Sequence, residues 1–137
     1  MIGWIGDIEA TTLDNPNFRT MVHTGTHAQL TVMRLAPGEG IGLEVHPHVD
    51  QFLRIEQGAG RVVMGHSRDA VDEVHDVSAG WAIIVPAGIW HDVINSDSEE
   101  MKLYSLYTPP EHPDGTVHAT KADAEIAEAR RHFARTT

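Results

Sequence analysis

Two glycine-framed histidine segments constrain this chain more than anything else in it. One is PGEGIGLEVHPHVDQFLRIEQG, residues 37–58; the other is GWAIIVPAGIWHDVIN, residues 80–95. Glycine and proline punctuate both at the spacing of short strands. Together they read as one small β-barrel that holds one metal ion. The rest of the chain agrees with a barrel. β-like runs are expected at Arg19–Thr24, Ala28–Leu35, Gln51–Glu56, Arg61–Met64, Glu73–Val77, Trp81–Val85, His91–Ile94 and Met101–Thr108, each closed by a turn signal. Pro109-Pro110 stops the last run, because proline cannot donate to a ladder. Tyr107–His118 is then a polar, turn-rich surface loop, placed to cover the barrel mouth or an edge. Thr120 opens a capping-box-like start, and Ala122, Ile126, Ala129 and Phe133 recur at helical spacing. A helix is expected over about Lys121–Arg135, docking through Ile126 and Phe133.

Composition narrows the chemistry. There is no cysteine among the 137 residues, which removes disulfides and thiolate ligands and leaves histidine, carboxylate and amide oxygen as donors. Ten histidines are dispersed rather than clustered as a tag. A formal net charge of −10 opposes nucleic-acid binding and an anionic membrane surface. No stretch approaches the ~20 apolar residues of a membrane span, and MIGWIGDIEA has no basic n-region. A cytoplasmic protein is expected. The length suits one domain, with a barrel core near 28–108 and a loop and helix over 109–137.

Residues two apart on a strand share a face, so Glu44 and His46 are expected to project together. Gln51 can project back from the neighbouring strand, and His91 opens a later one. Two imidazoles and two oxygens suit Fe, Mn, Ni, Co or Zn. At this point the chain resembles the cupin superfamily. The family's second motif, G-x5-P-x-G-x2-H-x3-N, is met in full by Gly80, Pro86, Gly88, His91 and Asn95. Its first, G-x5-H-x-H-x4-E-x6-G, admits two registers. Counted from Gly38, Glu44 and His46 take the histidine places, Gln51 the glutamate place and Gly58 the last glycine. Counted from Gly40, His46 and His48 take the histidine places, but the gap to Gln51 is one residue short, and Phe52 or Leu53 stands at the carboxylate position. The first register is preferred, with His48 as the alternative ligand. It requires Glu for His and Gln for Glu. The family's usual set, three histidines and a glutamate, carries one negative charge. Glu44, His46, Gln51 and His91 carry one as well, moved to another vertex.

The resemblance implies an all-β double-stranded β-helix, or jelly roll, with an external C-terminal helix, a homodimer, one divalent metal ion and a small-molecule ligand. It implies a metal-dependent enzyme acting on a carbonyl- or hydroxyl-bearing compound, of isomerase, lyase or dioxygenase type. A non-catalytic binding or sensing module is the alternative. The amide of Gln51 is a poorer base than a carboxylate, so no catalytic base is identified. Met33, Trp90 and Tyr107 are candidate pocket walls, each with a plain packing role as the blander account. Lysine and arginine are scarce near the motifs, which disfavours a phosphosugar.

Overall fold

The computed structural model describes residues 2–136, with side chains through His132. Its elements in chain order are α1 (Ile8–Asp14), β1 (Arg19–Thr24), β2 (Gln29–Leu35), β3 (Asp50–Gln57), β4 (Ala59–Gly65), β5 (Glu73–Ser78), β6 (Ala82–Val85), β7 (Trp90–Asn95), β8 (Met101–Thr108), β9 (Val117–His118) and α2 (Lys121–Thr136). A six-stranded antiparallel sheet in the order β6-β3-β8-β2-β1-β9 faces a three-stranded sheet, β5-β4-β7. This is the expected double-stranded β-helix. Every expected strand forms, because alternation and turn chemistry agree along the chain.

Alternation sorts the interior into layers. Leu35 pairs with Met101, and Met33 and Ile55 both oppose Leu103. Thr31 and Leu53 oppose Ser105, and Gln29 and Gln51 oppose Tyr107. The barrel is therefore apolar at one end and polar at the other. Met33, Leu53, Ile55, Val62, Val93 and Leu103 fill the apolar end and are all buried. Met33 is thus core filling rather than a pocket wall.

Two elements differ from expectation at the chain's ends. The short α1 lies on the outer face of the large sheet. Asp7 caps it, accepting from the Ala10 amide at 3.0 Å. Lys102 reaches from β8 to the Asn15 carbonyl just beyond it. Seven residues with two threonines carry too little apolar period to announce a helix. The second difference is the docking face of α2. Ala124 is buried, Ala127 is half-buried and Ile126 is 52% exposed. Lys121, Ala124, Glu128 and Arg131 face the barrel, not Ile126. The small Ala124 lets the helix approach Phe18 and Ile41, and Arg131 anchors it to the Glu111 carbonyl at 3.1 Å. The Phe133 side chain lies outside the described residues. Among the described residues, no helix is long and apolar enough to cross a membrane.

Candidate metal centre

The second motif builds one wall of the site. Gly88, with φ +83°, supplies a turn that an L side chain adopts only with strain. β7 then starts at Trp90, and His91 faces inward, fully buried. Its Nδ1 lies 3.0 Å from the Ile89 carbonyl. A carbonyl only accepts, so Nδ1 carries the proton and Nε2 keeps a lone pair. That Nε2 is buried and has no hydrogen-bond partner.

The first motif reaches the same place by another route. Residues 41–49 are not a regular strand, so Glu44 and His46 do not converge through strand parity. Glu44 instead pairs with His91 through two backbone hydrogen bonds of 3.0 and 2.9 Å. The preceding turn at Gly42 has φ +102°, and its amide donates to Asp92 Oδ1 at 3.1 Å. The His46 carbonyl accepts from the Gly88 amide at 2.9 Å, which ties the two motifs together. The outcome is a close group. Glu44 Oε1 is 3.3 Å from His46 Nε2 and 3.6 Å from His91 Nε2. One donor atom from each of Glu44, His46 and His91 lies within 4.8 Å of the other two.

Gln51 projects inward from β3 in the layer of Tyr107, 2% exposed. Its Nε2 donates to Ser105 Oγ at 3.5 Å, and its Oε1 has no partner. His48 lies exposed in the turn after His46 and is not in the group. Tyr107 is buried with its ring edge-on to His46, centroids 5.8 Å apart. Burial pushes its phenol up to about 12, so it stays protonated. Trp90 does not join them. Alternation turns it away from the interior that His91 faces, and its ring stacks beneath the Arg68 guanidinium at 5.6 Å.

Sequence reasoning missed three groups. Glu111, in the segment after the two prolines, places Oε1 3.4 Å from His46 Nδ1. His46 therefore sits between two carboxylates. Burial pushes its pKa down, but Glu111 and Glu44 outweigh that and raise it to about 9. Burial alone would raise the Glu44 carboxyl, and the His46 and His91 imidazoles beside it hold it well below the usual carboxylate range. The Glu111 segment is held by Gln29, whose Oε1 accepts from the Glu111 and His112 amides at 3.1 and 3.0 Å. The other two missed groups are cations. Arg19 and Lys121 line a pocket of about 210 Å³ together with Glu44.

The donor set suits a divalent cation on chemical grounds. Two of its atoms are buried lone pairs with no protein partner, and a third is an ionised carboxylate oxygen. Glu111 accepts the Nδ1 proton of His46 and so orients Nε2, as carboxylates behind ligating histidines do.

Comparison with known proteins bears on the family and the fold. The cupin domain family matches residues 31–107. The chain is 55% identical to the uncharacterized protein YrkC of Bacillus subtilis (strain 168), over 91% of this chain and 67% of that one. It is 38% identical to the uncharacterized protein L612 of Acanthamoeba polyphaga mimivirus, over 83% of this chain and 70% of that one. The crystal structure of BH2720 from Bacillus halodurans superposes with a TM-score of 0.89 at 50% identity, covering 90% of this chain and 93% of that one.

Proposed function

Because this chain belongs to the cupin domain family, we propose that it is a divalent-metal-dependent enzyme acting on a small carbonyl- or hydroxyl-bearing molecule, of isomerase, lyase or dioxygenase type. Glu44, His46, Gln51 and His91 hold the ion, which is Fe, Mn, Ni, Co or Zn. The observation that carries the reading is the group of Glu44, His46 and His91 donor atoms within 4.8 Å of one another, with His91 Nε2 and, in the layer of Tyr107, Gln51 Oε1 both buried and unpartnered. A buried acceptor with no donor costs about 1–3 kcal/mol, and a cation removes that cost at both atoms.

When bound, the ion supplies Lewis acidity, drawing electron density from a substrate oxygen. The chain supplies the rest. His91 is fixed in one tautomer by the Ile89 carbonyl, and His46 is oriented by Glu111. Tyr107 keeps its proton and acts only as a neutral wall or donor. The buried apolar layers beneath the group exclude water from below.

Metal analysis of protein purified without added metal tests the site. About one ion per chain is expected. Glu44→Ala and His91→Ala should lose it, and His48→Ala should keep it. Loss in His48→Ala with retention in Glu44→Ala would overturn the assignment. One observation favours a second reading, a binding or sensing role without turnover: Gln51 is a neutral amide where proton abstraction would need a base. Turnover of a carbonyl or diol panel, with oxygen uptake followed in parallel, separates the two.

A further inference from the structure

Arg19 faces inward from β1, opposite Met33, and is only 3% exposed. Its guanidinium has no carboxylate within ion-pair distance among the described residues. Its polar contact is Nη1 to His118 Nδ1 at 3.4 Å, and its Cζ lies 5.3 Å from the ring centroid of its neighbour Phe18. Its Nε is buried and unpartnered. A guanidinium stays charged in any protein environment, and a buried charge is normally paired. Neither a neutral imidazole nor a ring face neutralises it. Arg19 lines the 210 Å³ pocket between β1, the Ile41–Glu44 loop and α2, with Lys121 also in its lining.

We propose that this pocket is a carboxylate subsite, in which Arg19 and Lys121 bind the acid group of a small organic acid whose carbonyl or hydroxyl reaches the metal group at Glu44. The link to the metal rests on the proposed function above; the anion subsite rests on Arg19 alone. The lining sets Arg19 and Lys121 against Glu44, Glu125 and Glu128, a balance that admits no more than a singly charged acid. Glu125 and Glu128 also line the pocket, and Glu128 is engaged by Arg131 at 3.0 Å. Those carboxylates repel a phosphate dianion more strongly than a single-charged carboxylate. Planar Arg recognition of a carboxylate is bidentate, and the orphaned Nε is one of the fork's donors. The volume holds about seven waters at ~30 Å³ each, which suits an acid of few carbons. Glu44 borders both the pocket and the metal group, so one small molecule spans the two.

Calorimetric titration of the full chain with lactate, pyruvate and the neutral isostere lactamide tests the subsite, with chelator and with Mn(II). Lactate or pyruvate should bind, lactamide should not, and Arg19→Met should weaken the acid by about tenfold or more. Arg19→Lys, which keeps the charge but not the fork, should lose less. Lys121→Gln, at the pocket rim, should lose a few-fold. The melting midpoint of ligand-free Arg19→Met should stay level or rise, because an unpaired buried charge is removed. If that variant fails to fold, the Arg19→Lys and Lys121→Gln comparisons carry the test. Equal binding of lactate and lactamide overturns the subsite, as does unchanged lactate binding in the variants or no acid binding in either metal state. Mn(II) binding, followed by loss of its free-ion paramagnetic signal, is scored separately. Acid binding without Mn(II) binding overturns the metal reading and leaves the subsite; Mn(II) binding without Arg19-dependent acid binding does the reverse.

Discussion

The pH dependence of the metal-free protein follows from His46. Its imidazole is 8% exposed and lies 3.3 Å from Glu44 and 3.4 Å from Glu111. These carboxylates raise its pKa from 6.5 to about 9 against the opposing effect of burial. A folded-state pKa above the unfolded one means that the folded chain binds the extra proton. The stabilisation is fully present below pH 6.5 and is lost as pH rises through 9. A shift of that size corresponds to about 3 kcal/mol. In a chain of this length that moves the thermal midpoint by roughly 10 °C. The acid side has a separate cause. Burial, aided by the Arg19 charge, pushes His112 down to about 3. Its unfolded form gains a proton below pH 6.5 that the folded form refuses, so stability falls there too. Stability should therefore peak near pH 6.5. Thermal melts in chelator across pH 5–10 measure both limbs. Glu111→Gln should shrink the alkaline limb by roughly half and leave the acid limb, because Glu111 is one of the two carboxylates that raise the His46 pKa. A flat or rising midpoint between pH 6.5 and 9, or an alkaline limb unaltered in Glu111→Gln, would refute the arrangement.

Three further outcomes are expected. A bound ion must displace the His46 proton, so apparent affinity for Zn(II) should rise about tenfold per pH unit from 6.5 towards 9, measured by competition with a chromophoric chelator. Asn95→Ala should cost about 2–4 kcal/mol in urea denaturation, because the buried amide donates to Leu35 and Glu99 carbonyls at 3.0 and 2.8 Å and accepts from the Asp97 amide at 2.9 Å. The double exchange Glu44→His with Gln51→Glu keeps one negative charge in the set and should retain metal, whereas Glu44→His alone leaves no carboxylate in it and should bind at least tenfold more weakly by the same titration.

The barrel was legible because two independent signals agreed, strand alternation and turn chemistry. The second motif was legible because its five positions are rigidly spaced on one turn and one strand. The first was harder. Glu44 and His46 meet through a backbone pairing with β7 that a period-two argument does not contain. Of the two roles open to Trp90, pocket wall or packing, the same period counted from His91 turns it outward, against Arg68. Glu111 has no spacing relation to either motif; Gln29, 82 positions away in sequence, brings it to His46. Arg19 did leave a trace, a charge alternating with Met21 on the inward face of a strand, where an apolar residue is the rule. On α2, apolar spacing picked Ile126, but close approach to the barrel favoured the small Ala124 and the reach of Arg131. Periodicity registers which residues are apolar, not which face finds a neighbour.

Two glutamines in one layer show why the polar end of the barrel is more than a structural cap. Gln29 and Gln51 oppose the same residue, Tyr107, from its two sides, and both are almost fully buried. Gln29 uses its whole amide. Its oxygen accepts from the Glu111 and His112 amides, and its nitrogen donates to Thr24 Oγ1 and the His112 carbonyl at 2.9 and 2.8 Å. It staples the Glu111 segment onto the barrel. Gln51 makes one long hydrogen bond and leaves its oxygen bare. If burial in this layer only required polar groups to satisfy one another, Gln51 would be the better packed as an apolar residue, as Leu53 is two positions further along β3. Its free oxygen and the free nitrogen of His91 are both buried acceptors for which the barrel itself provides no donor. In the proposed function a divalent cation satisfies them, and its charge also matches Glu44.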